Sequence, residues 1–92
     1  MSNETLQILA VDAGNTRVKW GLHDGSSWLL RAAFATAQAA SAEAFSHLPA
    51  GVSVDRIIVS NVAGPIVANA IKDALYRLGV PLTFITSADR QC

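Results

Sequence analysis

Residues 6–23, LQILAVDAGNTRVKWGLH, predict two β-strands joined by a short polar segment. Residues 6–11 form a nearly continuous apolar run, which is typical of a strand covered on both faces. From Arg17 to His23 polar and apolar side chains alternate, which indicates a strand with one apolar and one polar face. The residues between them, DAGNT at 12–16, therefore predict the tip of a hairpin.

The rest of the chain predicts three further strands and two helices. The strands are predicted at residues 28–34, 54–59 and 81–87, and the helices at the Ala-rich segment 37–48 and at 65–78. This β-β-β-α-β-α-β order predicts an α/β fold with a mixed five-stranded sheet on which the helices pack. By strand parity, Trp20 and Trp28 are both expected on the inner face of the sheet, in the core.

Composition and charge restrict the class of protein. The 92 residues suffice for one small domain, and the seven basic and seven acidic residues are scattered and cancel. Without a basic stripe, neither a nucleic acid nor an anionic membrane surface is expected as a partner. The apolar run before Asp12 is too short for a signal peptide or a membrane span. The one cysteine, Cys92, cannot form an internal disulfide, so we expect a reduced, cytoplasmic protein.

The polar tip at residues 12–16 has two physical interpretations. In the first, its Asp, Gly and Asn are simply turn residues. In the second, Gly14 lets the main chain approach an anion, and nearby N–H groups, Asn15 and Thr16 donate hydrogen bonds to it. Lys19 then adds a positive charge, whereas Asp12 would repel a phosphate unless Mg²⁺ or its bound water lies between them. The second interpretation predicts a site for a nucleotide phosphate and its metal.

The spacing of Asp12, Gly14 and Lys19 resembles the first phosphate loop of the actin-like ATPase superfamily. The longer string AVDAGNTRVKWGL, residues 10–22, is similar to the N-terminus of type III pantothenate kinases, and IIVSNVAG at 57–64 resembles the end of the fourth strand in that family. The resemblance implies a ribonuclease H-like or actin-like ATPase half. It assigns to the ATP phosphate loop Asp12, Ala13, Gly14, Asn15, Thr16, Arg17, Val18 and Lys19, with Asp12 also holding Mg²⁺ through water.

The activity that this resemblance implies is ATP-dependent phosphorylation of pantothenate, the first step of coenzyme A biosynthesis. It further implies a monovalent cation, K⁺ or NH₄⁺, bound outside this chain, and a homodimer. Members of the family are more than twice as long as this chain. We therefore interpret residues 1–92 as one N-terminal ATPase-type domain, truncated before the second half of the enzyme.

The resemblance places the catalytic base beyond Cys92, in a G-x-D-R motif, so no catalytic residue is expected in this chain. The string SADR, residues 87–90, has Ser87 in place of the Gly and comes too early. Asp89 is therefore interpreted as a solvated loop carboxylate. The 92-residue chain alone is accordingly predicted to be inactive.

Ser60 and Asn61 end the predicted fourth strand. Ligands of open α/β sheets gather beyond the carboxyl ends of the strands, so these two residues are expected to line the cleft. The alternative is that they cap the following helix. Neither His23 nor His47 has a second ligand at metal-binding spacing.

Two other functions compete with the kinase. One is a non-catalytic accessory or regulatory relative, or a truncated remnant, which likeness of fold does not distinguish from an enzyme. The other, less favoured, is a ribonuclease H-like nuclease, which also carries an Asp on its first strand. Two-metal nucleases need several convergent carboxylates, whereas the fourth strand here ends in Ser60 and Asn61.

Overall fold

The computed structural model describes residues 6–49 and 51–85, and its centre is a five-stranded sheet in the order β3-β2-β1-β4-β5. The elements are β1 (Ile8–Ala13), β2 (Arg17–His23), β3 (Trp28–Ala35), β4 (Arg56–Asn61), α1 (Pro65–Leu75) and β5 (Leu82–Ile85). β2 pairs antiparallel with both β1 and β3, and β4 pairs parallel with both β1 and β5. The predicted α/β fold with a mixed five-stranded sheet is confirmed.

The strand predictions agree with the structure within about two residues. β2 has the predicted bounds, whereas β1 and β4 each begin and end two residues later than predicted. β1 continues through Asp12 and Ala13 because both residues pair with β2 on one side and with β4 on the other. The predicted tip DAGNT is therefore wrong in its first two residues, and the tip is reduced to residues 14–16. Of the predicted strand 81–87, residues 86 and 87 lie outside the described residues.

The core lies on one face of the sheet. It is built from the alternate residues of the strands that pairing places on that face: Leu9, Val11, Ala13, Val18, Trp20, Leu22, Ile57 and Val59. Ile71 and Leu75 of α1 cover it, together with Phe45 and Leu48. Trp20 is 4% exposed, and its ring centroid lies 6.0 Å from that of Phe45, so the predicted core position of Trp20 is confirmed.

The α-helix predicted for residues 37–48 is not formed. A short 3-10 helix, Thr36–Gln38, is followed by successive turns. Their hydrogen bonds join residues three positions apart, such as the bond from the Ala44 N–H to the Ser41 carbonyl. The Ser41 hydroxyl also accepts a bond from the Glu43 N–H, which competes with helical pairing. Phe45 and Leu48 enter the core from these turns. Tertiary packing here overrides the helix propensity of alanine.

Trp28 lies on the opposite face from the one predicted, and 46% of it is exposed. Leu22 pairs with Leu30, but its neighbour His23 pairs with Trp28, so β3 contains one extra residue at a bulge. An extra residue reverses the alternation of side chains beyond it. The bulge thus leaves Leu30 against the core and moves Trp28 to the other face.

The turn between β2 and β3 contains a carboxylate whose titration couples to folding. The Ser27 and Ser26 N–H groups both donate to Asp24 Oδ1, at 2.9 Å each, and the first of these bonds contributes most to lowering the pKa of Asp24. A lowered folded-state pKa stabilises the fold above the unfolded pKa, and this contribution is lost as the pH falls through the folded pKa. Asp24→Asn should therefore lose less stability than wild type between pH 5 and pH 2 (about one to two units either side of the ordinary carboxyl pKa).

Urea midpoints across this range measure the effect. Asp73→Asn on α1 is the matched control, since it removes one exposed carboxylate that lies outside this turn. The prediction is contradicted if the urea midpoint of Asp24→Asn falls between pH 5 and pH 2 as steeply as the midpoints of wild type and Asp73→Asn.

Candidate functional site

One row of the sheet brings together Asp12, Lys19 and Ser60. Asp12 of β1 lies opposite Lys19 of β2 in the antiparallel pair and opposite Ser60 of β4 in the parallel pair. Residues directly opposite one another point to the same face of a sheet. Since β1 and β4 run parallel, this row lies where both strands reach their carboxyl ends, the edge at which ligands of α/β sheets bind. We call these three residues the polar row.

The polar row lies on the face of the sheet opposite the core, at one end of a groove of about 330 Å³. Asp12 and Lys19 are exposed, whereas Ser60 is 9% exposed. The residues that line the groove with them include Ala10, Gly21, Trp28, Arg31, Ile58 and Ile85. No ion pair joins Asp12 or Lys19 to another residue within the described parts of the chain. Both charges of the row are therefore directed toward solvent at the mouth of a largely apolar groove.

Gly21 allows the indole of Trp28 to lie against the sheet in this groove. A Cβ atom at Gly21 would come within 2.7 Å of two ring carbons of Trp28, closer than any real contact of this kind. The indole also meets the His23 ring in a T-shaped contact with centroids 4.8 Å apart. Trp28 and Arg31 were not predicted as groove residues, because the bulge that turns Trp28 outward has no signal in the sequence.

The loop beside the polar row, residues 14–16, is closed by a hydrogen bond of 2.9 Å from the Gly14 N–H to the Arg17 carbonyl. Gly14 does not have the positive φ that favours glycine, which among the described residues occurs at Gly25, Gly64 and Gly79. A Cβ at Gly14 would instead lie 3.3 Å from the Arg17 carbonyl oxygen, so what glycine provides here is space. Within the described residues, the N–H groups of Asn15 and Thr16 have no protein acceptor. These two amides are the donors that remain for an anion.

The eight residues predicted for the phosphate loop fall into two groups. Ala13 and Val18 are fully buried in the core, so only their backbone faces the loop. The second group consists of the partly buried Gly14 and five residues with exposed side chains: Asp12, Asn15, Thr16, Arg17 and Lys19. Asp12 and Lys19 belong to the polar row, while Asn15 and Thr16 form the loop tip.

Of the two predicted cleft residues, the structure brings only Ser60 into the polar row. Asn61 is the next residue of β4, and its side chain orders the connection to α1. Its Nδ2 donates to the Gly64 carbonyl at 2.9 Å, and its Oδ1 accepts from the Ala63 N–H at 3.2 Å. The side-chain amide of Asn61 is thus bonded within the connection that leads into α1. Asn61 is not the N-cap of this helix, because that position is Gly64.

Among the described residues, Asp12 is the one carboxylate that lines the groove. No group of three or more His, Cys, Asp or Glu residues that could hold a metal ion occurs among residues 6–49 and 51–85. Mg²⁺ typically keeps several waters and binds through one or two carboxylates together with the phosphates of a substrate. A single exposed carboxylate beside two amide donors and Lys19 fits that mode. It does not fit a two-metal nuclease, whose metals need several carboxylates.

The remaining sequence candidates have structural roles or lie outside the site. His23 Nδ1 accepts a bond of 2.9 Å from the Gly25 N–H. His47 is exposed among the turns before β4. Asp89 lies outside the described residues. In the part of the chain that the structure describes, no helix has the length and apolar character needed to cross a membrane.

Comparison with known proteins places the chain among relatives of one kind. The family model for type III pantothenate kinase matches residues 8–92. A type III pantothenate kinase of Nitrosospira multiformis is 38% identical over 86 residues, covering 92% of this chain and 32% of the relative. One of Nitrosomonas eutropha is 37% identical over 86 residues, covering 92% and 33%. The chain thus spans about a third of the length of the curated relatives it matches.

Among solved structures, the chain is similar to the PPX-GPPA enzyme of Aquifex aeolicus, with a TM-score of 0.47 and 11% identity. The match covers 94% of this chain and 38% of that protein.

Proposed function

Since this chain belongs to the type III pantothenate kinase family, we propose that it is the N-terminal part of an ATP-dependent pantothenate kinase and supplies its first phosphate loop. The observation that carries the proposal is the polar row beside the loop of residues 14–16. Asp12 and Lys19 face each other across the hairpin at the carboxyl ends of two parallel strands. A loop that served only as a turn would not require either charge.

The residues of the loop have distinct roles in this proposal. The Lys19 ammonium is a point charge for the ATP phosphates, and the N–H groups of Asn15 and Thr16 donate to the same oxygens. Asp12 holds a water of the Mg²⁺ that accompanies ATP, and the metal when bound neutralises charge on the phosphates. Ala13, Gly14 and Val18 shape the loop through their backbone, and Ser60 lines the cleft.

The rest of the enzyme is proposed on the family's pattern. Residues 1–92 form a single N-terminal ATPase-type domain, and the second half supplies the catalytic base and the remainder of the ATP and pantothenate sites. A homodimer and a site for K⁺ or NH₄⁺ outside this chain follow the same pattern. We also propose a cytoplasmic location, because the 92 residues contain a single cysteine and therefore no internal disulfide.

The 92-residue chain by itself is expected to transfer no phosphate to pantothenate, because the family's pattern places the general base that activates the acceptor hydroxyl beyond residue 92. Removal of such a base alone costs about 100-fold to 10,000-fold in rate. The measurement is pantothenate-dependent ADP release by the purified chain, with the Nitrosospira multiformis kinase as the positive control.

Addition of residues beyond 92 from the full-length protein should restore turnover. Turnover by the chain alone at the rate of the positive control would contradict the partial-enzyme proposal. A full-length protein that binds MgATP without turnover would instead identify the non-catalytic relative.

A further inference from the structure

Thr36, the first residue after β3, is hydrogen-bonded to two of the three residues at the loop tip. Its Oγ1 donates to the Gly14 carbonyl at 2.8 Å, and its N–H donates to the Thr16 carbonyl at 2.8 Å. Thr36 is only 9% exposed, and the bond from its Oγ1 to the Gly14 carbonyl is partly buried. Together with the bond from the Gly14 N–H to the Arg17 carbonyl, they fix the loop on both sides of Asn15.

The bond from Thr36 to the Gly14 carbonyl also determines where the Asn15 N–H points. The Gly14 carbonyl and the Asn15 N–H belong to one planar trans peptide group, in which C=O and N–H point in opposite directions. Because the carbonyl is held toward Thr36, the Asn15 N–H is held away from it. This is one of the two amides that have no protein acceptor within the described residues.

We propose that Thr36 is a positioning residue for the phosphate loop: it holds the Gly14 and Thr16 carbonyls so that the Asn15 N–H is presented to the phosphate. Thr36 does not touch the ligand in this proposal, and the inference rests on the proposed role of the loop in binding ATP. Preorganised donors bind an anion more tightly because binding does not include the entropy cost of ordering them.

A hydroxyl is the part of Thr36 that matters. Valine keeps the shape of the side chain but leaves the partly buried Gly14 carbonyl without its side-chain donor, which is costly. Serine keeps the hydroxyl and should keep the bond. Thr83 is an exposed threonine on β5, at the far edge of the sheet, so Thr83→Val is a matched control for the change of residue type.

The test is made on the full-length protein, labelled with ¹⁵N, because the second half is proposed to supply the remainder of the ATP site. One measurement is hydrogen exchange at the Gly14 amide, which reports how firmly the loop is closed. The other is the Kd for MgATP from amide shifts of Asn15 and Thr16. Thr36→Val should speed exchange and raise the Kd, each by about tenfold, the ratio that loss of one ordinary hydrogen bond produces. Thr36→Ser should return both to within about twofold of wild type by keeping that bond, and Thr83→Val should change neither.

Unchanged Gly14 exchange in Thr36→Val would overturn the positioning role, as would faster exchange with an unchanged Kd. If wild type shows no MgATP-dependent shifts at the loop, the proposed ATP role fails, and exchange alone then decides whether Thr36 anchors the loop. Should Thr36→Val not fold, Thr36→Ala, which leaves room for a water at the Gly14 carbonyl, is measured in its place with the same two readouts.

Discussion

Replacing Lys19 by alanine in the full-length protein is expected to lower kcat/KM for ATP by about 100-fold to 1,000-fold, the usual cost of removing one preorganised charged donor. The ammonium lies in the row with Asp12 and Ser60, at the carboxyl ends of β1 and β4. Lys19 forms no ion pair within the described residues, so its ammonium group is not already bound to a carboxylate when a phosphate approaches. The measurement is initial rate against ATP concentration at saturating pantothenate.

Lys72→Ala is the matched control for Lys19, because Lys72 is an exposed lysine in the last turn of α1, away from the groove. It should retain the kinetics of wild type. Lys19→Arg separates charge from shape: a point-charge role predicts partial activity, since the guanidinium keeps the charge but not the compact geometry. Wild-type kcat/KM in Lys19→Ala would remove this residue from the mechanism.

Replacing Asp12 by asparagine is expected to lower kcat by about 100-fold or more and to shift the Mg²⁺ dependence to higher concentration, because an amide binds Mg²⁺ and its waters more weakly than a carboxylate. The substitution keeps nearly the same size, and strand pairing of Asp12 with Lys19 and Ser60 involves only the backbone. The fold should therefore be retained. The measurement is rate against Mg²⁺ concentration at fixed ATP.

Asp73→Asn, an exposed carboxylate on α1, is the control for loss of one negative charge. If Asp12→Asn keeps both the rate and the Mg²⁺ midpoint of wild type, Asp12 does not act through the metal. A rate that rises instead would indicate that the carboxylate only repels the phosphates. In Asp12→Asn combined with Lys19→Ala, the losses should not add, since the two residues are neighbours at one site.

The sequence patterns that were reliable are the local ones. The alternation from Arg17 to His23 predicted β2 with its observed bounds and its buried residues, because a period of two places alternate side chains on one face. The helix predicted from Pro65 was also confirmed as α1, followed by a short 3-10 turn that ends at Gly79, where φ is 64°. In both segments the local pattern and the packing favour the same structure.

The predictions that failed depend on contacts between distant residues. The Ala-rich segment 37–48 has helical propensity, but Phe45 and Leu48 reach the core through successive turns. Trp28 was assigned to the core by parity, and a single bulge opposite His23 placed it in the groove. Neither the packing nor the bulge produces a periodic pattern in the neighbouring residues of the sequence.

For the candidate site, the sequence by itself determined a hairpin with a polar end that carries Asp12, Gly14 and Lys19, because these residues are near one another in the chain. Only the tertiary structure decided that Asp12 lies within β1 and not in the turn, and that Ser60 completes the polar row. The parallel pairing of β1 with β4 joins residues 48 positions apart, and the bond from Thr36 to Gly14 spans 22. Such neighbours are created by sheet register and burial, which no local pattern of side chains encodes.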